Sequence, residues 1–541
     1  MISNPLSAPN PPESVPLEAP AYASVLAENT DLKTRCAALE ERLKWFERQV
    51  FGRKSEQRPV DLHEQPSLLG FSADELEKLR EENQSEKDTV SFQRRKTNKT
   101  RADDCLTRQG LRFGKHVPIK RIVVTPDELK GERAGEYEII DTHYRYKLAQ
   151  QPGYVVLQYE LPVIKHKPTA RIRSTAMVPQ VLESSVADVS FLAGMLVDKF
   201  AYHLPLYRQH QRLAHSGITL ARSTLSNLVR KSIQLLSPIV EAQMQNVLRS
   251  RVLAMDETPI KAGRKPQSGD ILGQMKQGWF WPTYGEDDEI VFRYSANRGR
   301  QTIEQILADQ FQGVLLSDGH SAYASYSKQM VAITHAQCWV HNRRQYLKAQ
   351  DIYPDQVSQM LDGIAALYRV EARIREQALT GDRKREYRQT HSQPIVDRIF
   401  AWCQQQLDRL TLTPQDPLRK ALIYTLKRVP ELSVFLNDAD VPPDTNHLER
   451  GLRSIPMGRK NWLFCWTEVG AEQVGVIQSL IVTCQLQGID PKTYLVDVLQ
   501  RVAVHPASKV EELTPRVWKT KFIDSPMTSM LDAADEVQRE H

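Results

Sequence analysis

RVLAMDETPI, residues 251–260, is an apolar strand that stops on an acid. Val252, Leu253, Ala254 and Met255 form a short unbroken apolar run, the pattern of a strand buried on both faces. Asp256 closes it. GVLLSDGHSAY, residues 313–323, does the same and closes on Asp318. Between them, GQMKQGWFWPTYG (273–285) and EIVFRYSANRG (289–299) read as two more strands in a meander. RQTIEQILADQF (300–311) reads as an amphipathic helix, and VAITHAQCWVHNRRQYL (331–347) as a strand followed by a helix. This β-β-β-α-β-α-β order predicts an α/β sheet with both Asp residues at the carboxyl ends of strands, where open α/β sheets place their sites.

A third acid stands far downstream. VPPDTNHLERGLRSIPMGRKNWLF (441–464) has a helix start, one central carboxylate, Glu449, and the cations Arg450, Arg453, Arg459 and Lys460. Asp444 reads as an N-cap. A lone carboxylate among cations is most often a surface ion-pair cluster. Asp318 follows Asp256 by 62 positions (318 − 256), and Glu449 follows Asp318 by 131 (449 − 318). The stretch from about 355 to 440 reads as helices with Gln-, Arg- and Leu-rich periodicity, an all-helical insertion. The question set by the sequence is whether Asp256, Asp318 and Glu449 converge.

Upstream, residues 1–21 are Pro- and Ser-rich and are expected to be disordered. Val25, Asn29, Leu32, Cys36, Leu39, Leu43, Phe46 and Val50 follow a 4-3-4 spacing, which predicts a coiled-coil helix over 22–52 with Asn29 fixing its register. Residues 53–104 read as a basic linker, with one short helix capped by Ser72 and the acid-free run SFQRRKTNKTR. Residues 105–180 read as a β-rich segment. Residues 181–245 read as helices: one over 184–203, a second ended by Gly217, and a third with Ser223 as its N-cap. A short helix, a Gly turn and a helix opening with Arg222, Ser223 and Asn227 resemble a helix-turn-helix. Residues 246–490 hold the sheet and the insertion, and 491–541 a C-terminal helix and tail.

At 541 residues the chain needs more than one core. The formal net charge of +6 is mild, but the basic residues cluster, as in proteins that bind nucleic acid. No apolar run is long enough to span a membrane, and the first residues lack the pattern of a signal peptide. The six Cys form no C-x-x-C pair, so no zinc ribbon or disulfide framework is expected and a cytoplasmic location fits. Cys338-x-x-His341 has half the ligands of a zinc site and reads as packing or hydrogen bonding near the acids.

Seven stretches in this order resemble transposases of the insertion sequence 66 family over most of the chain. They are LKWFERQVFGRKSE, HLPLYRQHQRLAHSGITLARSTLSNLV, MDETPIK, LLSDGHSAY, CWVHNRRQYL, DTNHLERGLRSIPMGRKNWLF and IQSLIVTCQLQGIDPKTYLVDVLQRVAVHP. The resemblance implies a ribonuclease-H-like catalytic core, with Asp256, Asp318 and Glu449 as a DDE triad. It also implies a leucine-zipper-like N-terminal helix for self-association and an N-terminal DNA-binding region. Many relatives carry a C-x-x-C zinc element in the region aligned with 105–170, and this chain has none there.

Three carboxylates held together repel by roughly 4 kcal/mol per pair at about 4 Å and an effective dielectric of about 20. Oxygen-only ligands suit Mg²⁺ or Mn²⁺, and two such ions support an in-line phosphoryl displacement. The expected function is metal-dependent cleavage and strand transfer at element ends, with DNA as partner and accessory transposition proteins as further candidates. The alternatives are a nuclease that cleaves without joining and an inactive or domesticated DNA-binding protein. Arg453, one helical turn past Glu449, is the candidate for an ion pair with Glu449 or a phosphate contact, beside Arg450. Arg459, Lys460 and Trp462 are candidates for backbone contact and base stacking, with Trp462 reading equally as core packing beside Leu463 and Phe464.

Overall fold

The structure is a computed structural model, and it describes residues 104–106, 111–114, 117–130, 134–150, 153–265, 274–308, 310–409, 411–462 and 465–532. The expected coiled-coil helix, its Asn29, the linker with Ser72 and the first residues lie outside the described residues. The chain divides into two compact units. One comprises Met1–Lys99 with Tyr346–Gln359, the other Thr100–Gln345 with Met360–His541. Within the first, only Tyr346–Gln359 is described, as a helix end, a turn and a helix start.

The second unit opens with strands β1 (Asp104–Leu106), β2 (Arg112–Gly114), β3 (Ile119–Val123), β4 (Tyr137–Gln150), β5 (Tyr154–His166) and β6 (Ile172–Ser174). β4 and β5 form a long antiparallel hairpin, with β3 parallel to β5 and β6 antiparallel to it. Alternate residues of β5 face one side, as strand geometry requires. Val155, Leu157 and Tyr159 therefore share a core with Ala149 and with Leu531 from the far end of the chain.

Three helices follow: α1 (Val189–Phe200), α2 (Leu206–His215) and α3 (Arg222–Leu248), with the short strand β7 (Ile218–Thr219) between α2 and α3. β7 completes a three-stranded sheet with β1 and β2. Asp188 caps α1, its Oδ1 accepting the Ser190 N–H at 2.9 Å. Ser223 does not cap α3. The first helical N–H groups, those of Thr224 and Leu225, run back to the Ala221 carbonyl, so the helix starts one residue before the serine.

The central sheet is built from β8 (Val252–Met255), β9 (Thr258–Arg264), β10 (Met275–Tyr284), β11 (Ile290–Ser295), β12 (Gly313–Ser317) and β13 (Ile333–Gln337). Its order is β11-β10-β8-β12-β13. β10 is antiparallel to its neighbours, while β8, β12 and β13 are parallel. β9 is a strand that the sequence reading missed; it continues the direction of β8 and pairs with β10. Helices α4 (Arg300–Leu307) and α5 (Ser321–Ser327) make the crossovers that parallel pairing needs. Leu253, Phe280, Trp281, Val291, Leu315 and Leu316 are fully buried, which explains the unbroken apolar runs.

After α6 (Trp339–Leu347) come the five insertion helices: α7 (Pro354–Glu376), α8 (Gly381–His391), α9 (Gln393–Arg409), α10 (Pro417–Leu426) and α11 (Val429–Asn437). Arg388 is fully buried and its charge is fully partnered. Its Nε and Nη2 donate to both carboxylate oxygens of Glu371 at 2.8 and 2.9 Å, and Nη1 donates to the carbonyls of Phe435, Asp438 and Val441 at 2.8 to 3.0 Å. One side chain thus fixes the strand-free segment that returns the chain toward the sheet.

The return carries α12 (Asn446–Leu452) and α13 (Ser454–Trp462), then α14 (Glu468–Leu486), α15 (Pro491–Arg501) and α16 (Pro515–Lys521). α14 covers the edge strand β11. Gly475 permits this: a Cβ there would meet the Phe292 carbonyl oxygen at 2.5 Å. The open edge of β11 is satisfied by side chains, a general need of edge strands. Ser479 Oγ accepts the Phe292 N–H at 2.9 Å, Thr483 Oγ1 accepts the Ile290 N–H at 3.2 Å, and Gln243 Nε2 donates to the Ile290 carbonyl at 2.9 Å. Among the described residues, no helix is long and apolar enough to cross a membrane.

Candidate active site

The register of β8 on β12 pairs Ala254 with Leu316. Asp256 and Asp318 each lie two residues beyond that pair, on neighbouring strands about 4.8 Å apart. Two carboxylates are therefore set side by side at the carboxyl edge of the sheet. Asp256 Oδ1 accepts the Glu257 N–H at 2.7 Å, and Asp318 Oδ1 accepts the His320 N–H at 2.8 Å. Among the described residues neither carboxylate has a cationic partner.

Glu449 reaches the same edge through contacts that pin the start of α12. The Trp339 N–H donates to the Pro443 carbonyl at 2.9 Å, and the Cys338 N–H donates to the Ser317 carbonyl at 3.1 Å. Cys338 Sγ accepts from the Thr445 N–H at 3.4 Å and from Thr445 Oγ1 at 3.3 Å. Cys338 therefore ties the end of β12 to the start of the Glu449 helix, and burial pushes its thiol up to about 11. Asp444 does not occupy the N-cap position, which is Thr445. Its Oδ1 accepts the Asn446 N–H at 2.9 Å, while Oδ2 takes the Tyr368 hydroxyl at 2.7 Å.

Electrostatics register the convergence. The Asp256 carboxyl is pushed up to about 8, first by burial, then by the charge of Asp318, and further by Glu257 and Glu449. Glu449 itself is held by cations. Its Oε2 accepts from Arg344 Nη2 at 2.7 Å, and its Oε1 lies 3.8 Å from His341 Nε2. Oε1 is buried and has no hydrogen-bond partner. Among the described residues, no group of three His, Cys, Asp or Glu side chains stands in metal-holding geometry.

Arg344 corrects the expectation for Arg453. Arg453 is the C-cap of α12, with an exposed side chain, and the ion pair on Glu449 comes from α6. The Arg453 N–H still closes the helical turn on the Glu449 carbonyl at 3.1 Å, so Arg453 shares the Glu449 face, but among the described residues its exposed side chain makes no ion pair with it. Burial holds the His341 imidazole below its usual range.

Glu257, next to Asp256, is the residue the sequence reading passed over. Its side chain is 1% exposed. Oε1 accepts from Arg298 at 2.6–2.8 Å, Oε2 accepts the Tyr323 hydroxyl at 2.9 Å, and His320 stands at 4.0 Å. Glu257 thereby joins the loop after β8 to the DGHSAY segment after β12. That segment is also gripped by the insertion. Arg428 lies over the Tyr424 ring at 3.7 Å and donates to the Gly319 carbonyl at 3.1 Å. A Cβ on Gly319 would sit 2.0 Å from Tyr424 Oη, so only glycine fits. The doublet of acids in MDETPIK was the available signal for Glu257; Arg298, Tyr323 and Arg344 left none.

The remaining candidates stand elsewhere. Arg450 and Lys460 are exposed. Arg459 is half-buried, donates to the Pro259 carbonyl, and is lowered by burial. Arg222, Ser223 and Asn227 are exposed at the start of α3, with Arg222 4.9 Å over the Tyr207 ring. Trp462 is half-buried at the end of α13.

The family model for the Transposase IS66 family matches residues 184–473, more than half of the chain. The chain belongs to the IS66 transposase family. The matched span of this IS66 family member contains Asp256, Asp318 and Glu449. Two further models match beside it: the IS66 C-terminal element over residues 479–516, and "Transposase C of IS166 homeodomain" over residues 38–109.

Among curated proteins, the uncharacterized protein y4hP of Sinorhizobium fredii is 32% identical over 348 residues, 61% of this chain and 62% of that protein. The uncharacterized protein y4jD of the same organism is 27% identical over 434 residues, 75% of this chain and 81% of that protein. The match with y4hP thus leaves more than a third of that relative uncovered. Among solved structures, the Drosophila P element transposase strand transfer complex overlaps 55% of this chain and 92% of its own, at 11% identity and a TM-score of 0.29. A superposition that loose carries no argument about this fold or its activity.

Proposed function

We propose that this IS66 family member is the transposase of a bacterial insertion sequence, and that it binds the element ends and catalyses metal-dependent DNA cleavage and strand transfer. One observation carries the reading: Asp256, at the end of β8, is pushed up to about 8 by burial and by the charges of Asp318, Glu257 and Glu449. A perturbed carboxylate at a strand edge, with other acids gathered around it, marks a site rather than a fold element. The sheet order β11-β10-β8-β12-β13, with β10 antiparallel to both neighbours, supports a ribonuclease-H-like core interrupted by the insertion helices α7 to α11. The homeodomain match over residues 38–109 supports DNA as the partner, through a segment of which only residues 104–106 are described.

Asp256, Asp318 and Glu449 fit a divalent metal by their chemistry. They offer oxygen only, they repel one another, and Glu449 Oε1 is a buried acceptor with no donor. These three residues would hold Mg²⁺ or Mn²⁺, which when bound would stabilise charge on the attacking and leaving oxygens of a phosphodiester. The chain's own groups do the rest. The Glu257 and His320 N–H groups orient the two aspartates, and Glu257 with Arg298 and Tyr323 keeps the two strand ends together. Arg344 neutralises Glu449 until it is displaced, and is then placed to meet a phosphate. Hydrolysis at the element end frees a 3′ hydroxyl, and transfer joins it to target DNA.

The test is a supercoiled plasmid carrying the element ends, incubated with protein and Mg²⁺ or Mn²⁺. Joined products are expected from the wild type, with neither nicks nor joins from Asp256→Asn, Asp318→Asn or Glu449→Gln. Cleavage by those variants at the wild-type rate would refute the assignment.

A further inference from the structure

Away from the acid cluster, the end of α13 and the start of α14 face α1, α2 and α3 across a pocket of about 210 Å³. That is smaller than the roughly 300 Å³ at which pockets begin to hold drug-sized ligands, so it suits a single ring system. Its charge is one-sided: among the described residues the lining includes Lys199 and Arg230 and no Asp or Glu. Lys199 has no carboxylate partner among the described residues; it lies 4.7 Å over the Phe200 ring. Burial lowers its ammonium, which marks a charge held away from water without an anion. Three aromatic residues also line the space, Phe200, Trp462 and Trp466. Trp462 is half-buried, its Nε1 packed against Gly458 of its own helix, and Trp466 is 65% exposed with Arg264 5.2 Å over its ring.

Aromatic rings beside cations without carboxylates match one chemistry: a flat ring system joined to an anion. We propose that this pocket takes an unpaired nucleobase of bound DNA, its ring against Trp462 and Trp466 and its phosphate toward Lys199 and Arg230. This rests on the reading of the protein as a DNA-binding transposase and adds to it a single-nucleotide site apart from the carboxylates. An enzyme that processes DNA ends must hold strands that have lost their pairing, and stacking on aromatic side chains is the sequence-tolerant way to do so.

The test uses the full chain and three fluorescent duplexes: blunt, with a short single-stranded overhang, and with the same overhang made abasic so that only its phosphates remain. Binding is read by anisotropy. The wild type is expected to hold the base-bearing overhang about tenfold tighter than the abasic one, since stacking contributes about 1–3 kcal/mol per base. In Trp466→Ala and Trp462→Ala that ratio falls toward one. Trp462→Phe, which keeps an aromatic ring, retains most of the ratio. Thermal midpoints report whether each variant is folded, and the exposed Trp466 guards against a merely structural loss. If the wild type binds duplex DNA with no preference for the base-bearing overhang, the pocket assignment is wrong while the transposase reading stands. An undiminished ratio in both alanine variants likewise overturns it, because the base is then held elsewhere. Failure of all three duplexes to bind removes this inference together with DNA binding.

Discussion

Replacing Asp256 by asparagine should stabilise the metal-free protein at alkaline pH, even though it removes a residue assigned to the chemistry. The Asp256 carboxyl is pushed up to about 8, chiefly by burial and next by Asp318. An unfolded aspartate titrates near 3.9. Between those values the folded chain keeps a proton that the unfolded chain has released, so stability falls as pH rises and the fall ends once pH passes the folded value. At about 1.4 kcal/mol per unit, the loss between about pH 6 and pH 8 is about 2 kcal/mol. In a cooperative unit of about 400 residues, with an unfolding entropy near 2.1 cal/mol/K per residue, that is about 2 °C. Asparagine cannot ionise and escapes the loss. Scanning calorimetry in chelator should show the midpoint of Asp256→Asn rising relative to wild type from pH 6 to pH 8 and levelling above. Divalent metal should then raise the wild type and leave the variant unmoved. A midpoint difference that does not change with pH, or a wild type that is the more stable at pH 8 without metal, would refute the argument that uncompensated carboxylates are stacked at this sheet edge.

Arg344→Met should tighten Mn²⁺ binding by about two- to fivefold, since the half-exposed pair it deletes contributes about 0.5–1 kcal/mol that the metal must otherwise displace; isothermal titration checks this. Arg388→Met leaves Glu371 buried without its partner and should cost about 3–5 kcal/mol, read as a lower urea midpoint. Gly319→Ala forces a methyl into Tyr424 and should cost about 1–3 kcal/mol while slowing cleavage through displaced Asp318; a variant as stable and as active as wild type would show the loop is free to move.

The sheet was legible because burial on both faces imposes unbroken apolar runs, and the two aspartates were legible because each interrupts such a run. β9 was not, since TPIKAGR alternates and carries a proline and two cations, the pattern of a turn as much as of a strand. Its pairing with β10 is a tertiary fact. Ser223 has the right chemistry for a cap, but the helix is set by the carbonyl of Ala221, and local propensity does not choose between adjacent starts. That the ion pair on Glu449 comes from Arg344 was not legible either, for a physical reason. Helix periodicity names neighbours on one helix, whereas Arg344 precedes Glu449 by 105 positions and meets it only because the return segment is pinned by Trp339, Cys338 and Arg388.

Those contacts also explain why four acids can share one edge. Glu257 is the most buried and the best compensated, by Arg298 and Tyr323, so its charge is spent on joining two loops. Glu449 is compensated by Arg344, whose half-exposed side chain can leave at little cost. Among the described residues Asp256 and Asp318 have only backbone N–H donors, and Asp256 answers with a proton. A fold that needed only stability would replace such a group, because a carboxylate held up near 8 is a standing cost at neutral pH. Its retention beside Asp318, with one exchangeable counter-ion on Glu449, is the arrangement expected of a site that waits for added positive charge. The four acids therefore differ in readiness: variants of Asp256 and Asp318 should lose metal affinity first and those of Glu449 after them, while variants of Glu257 should act through loss of stability alone.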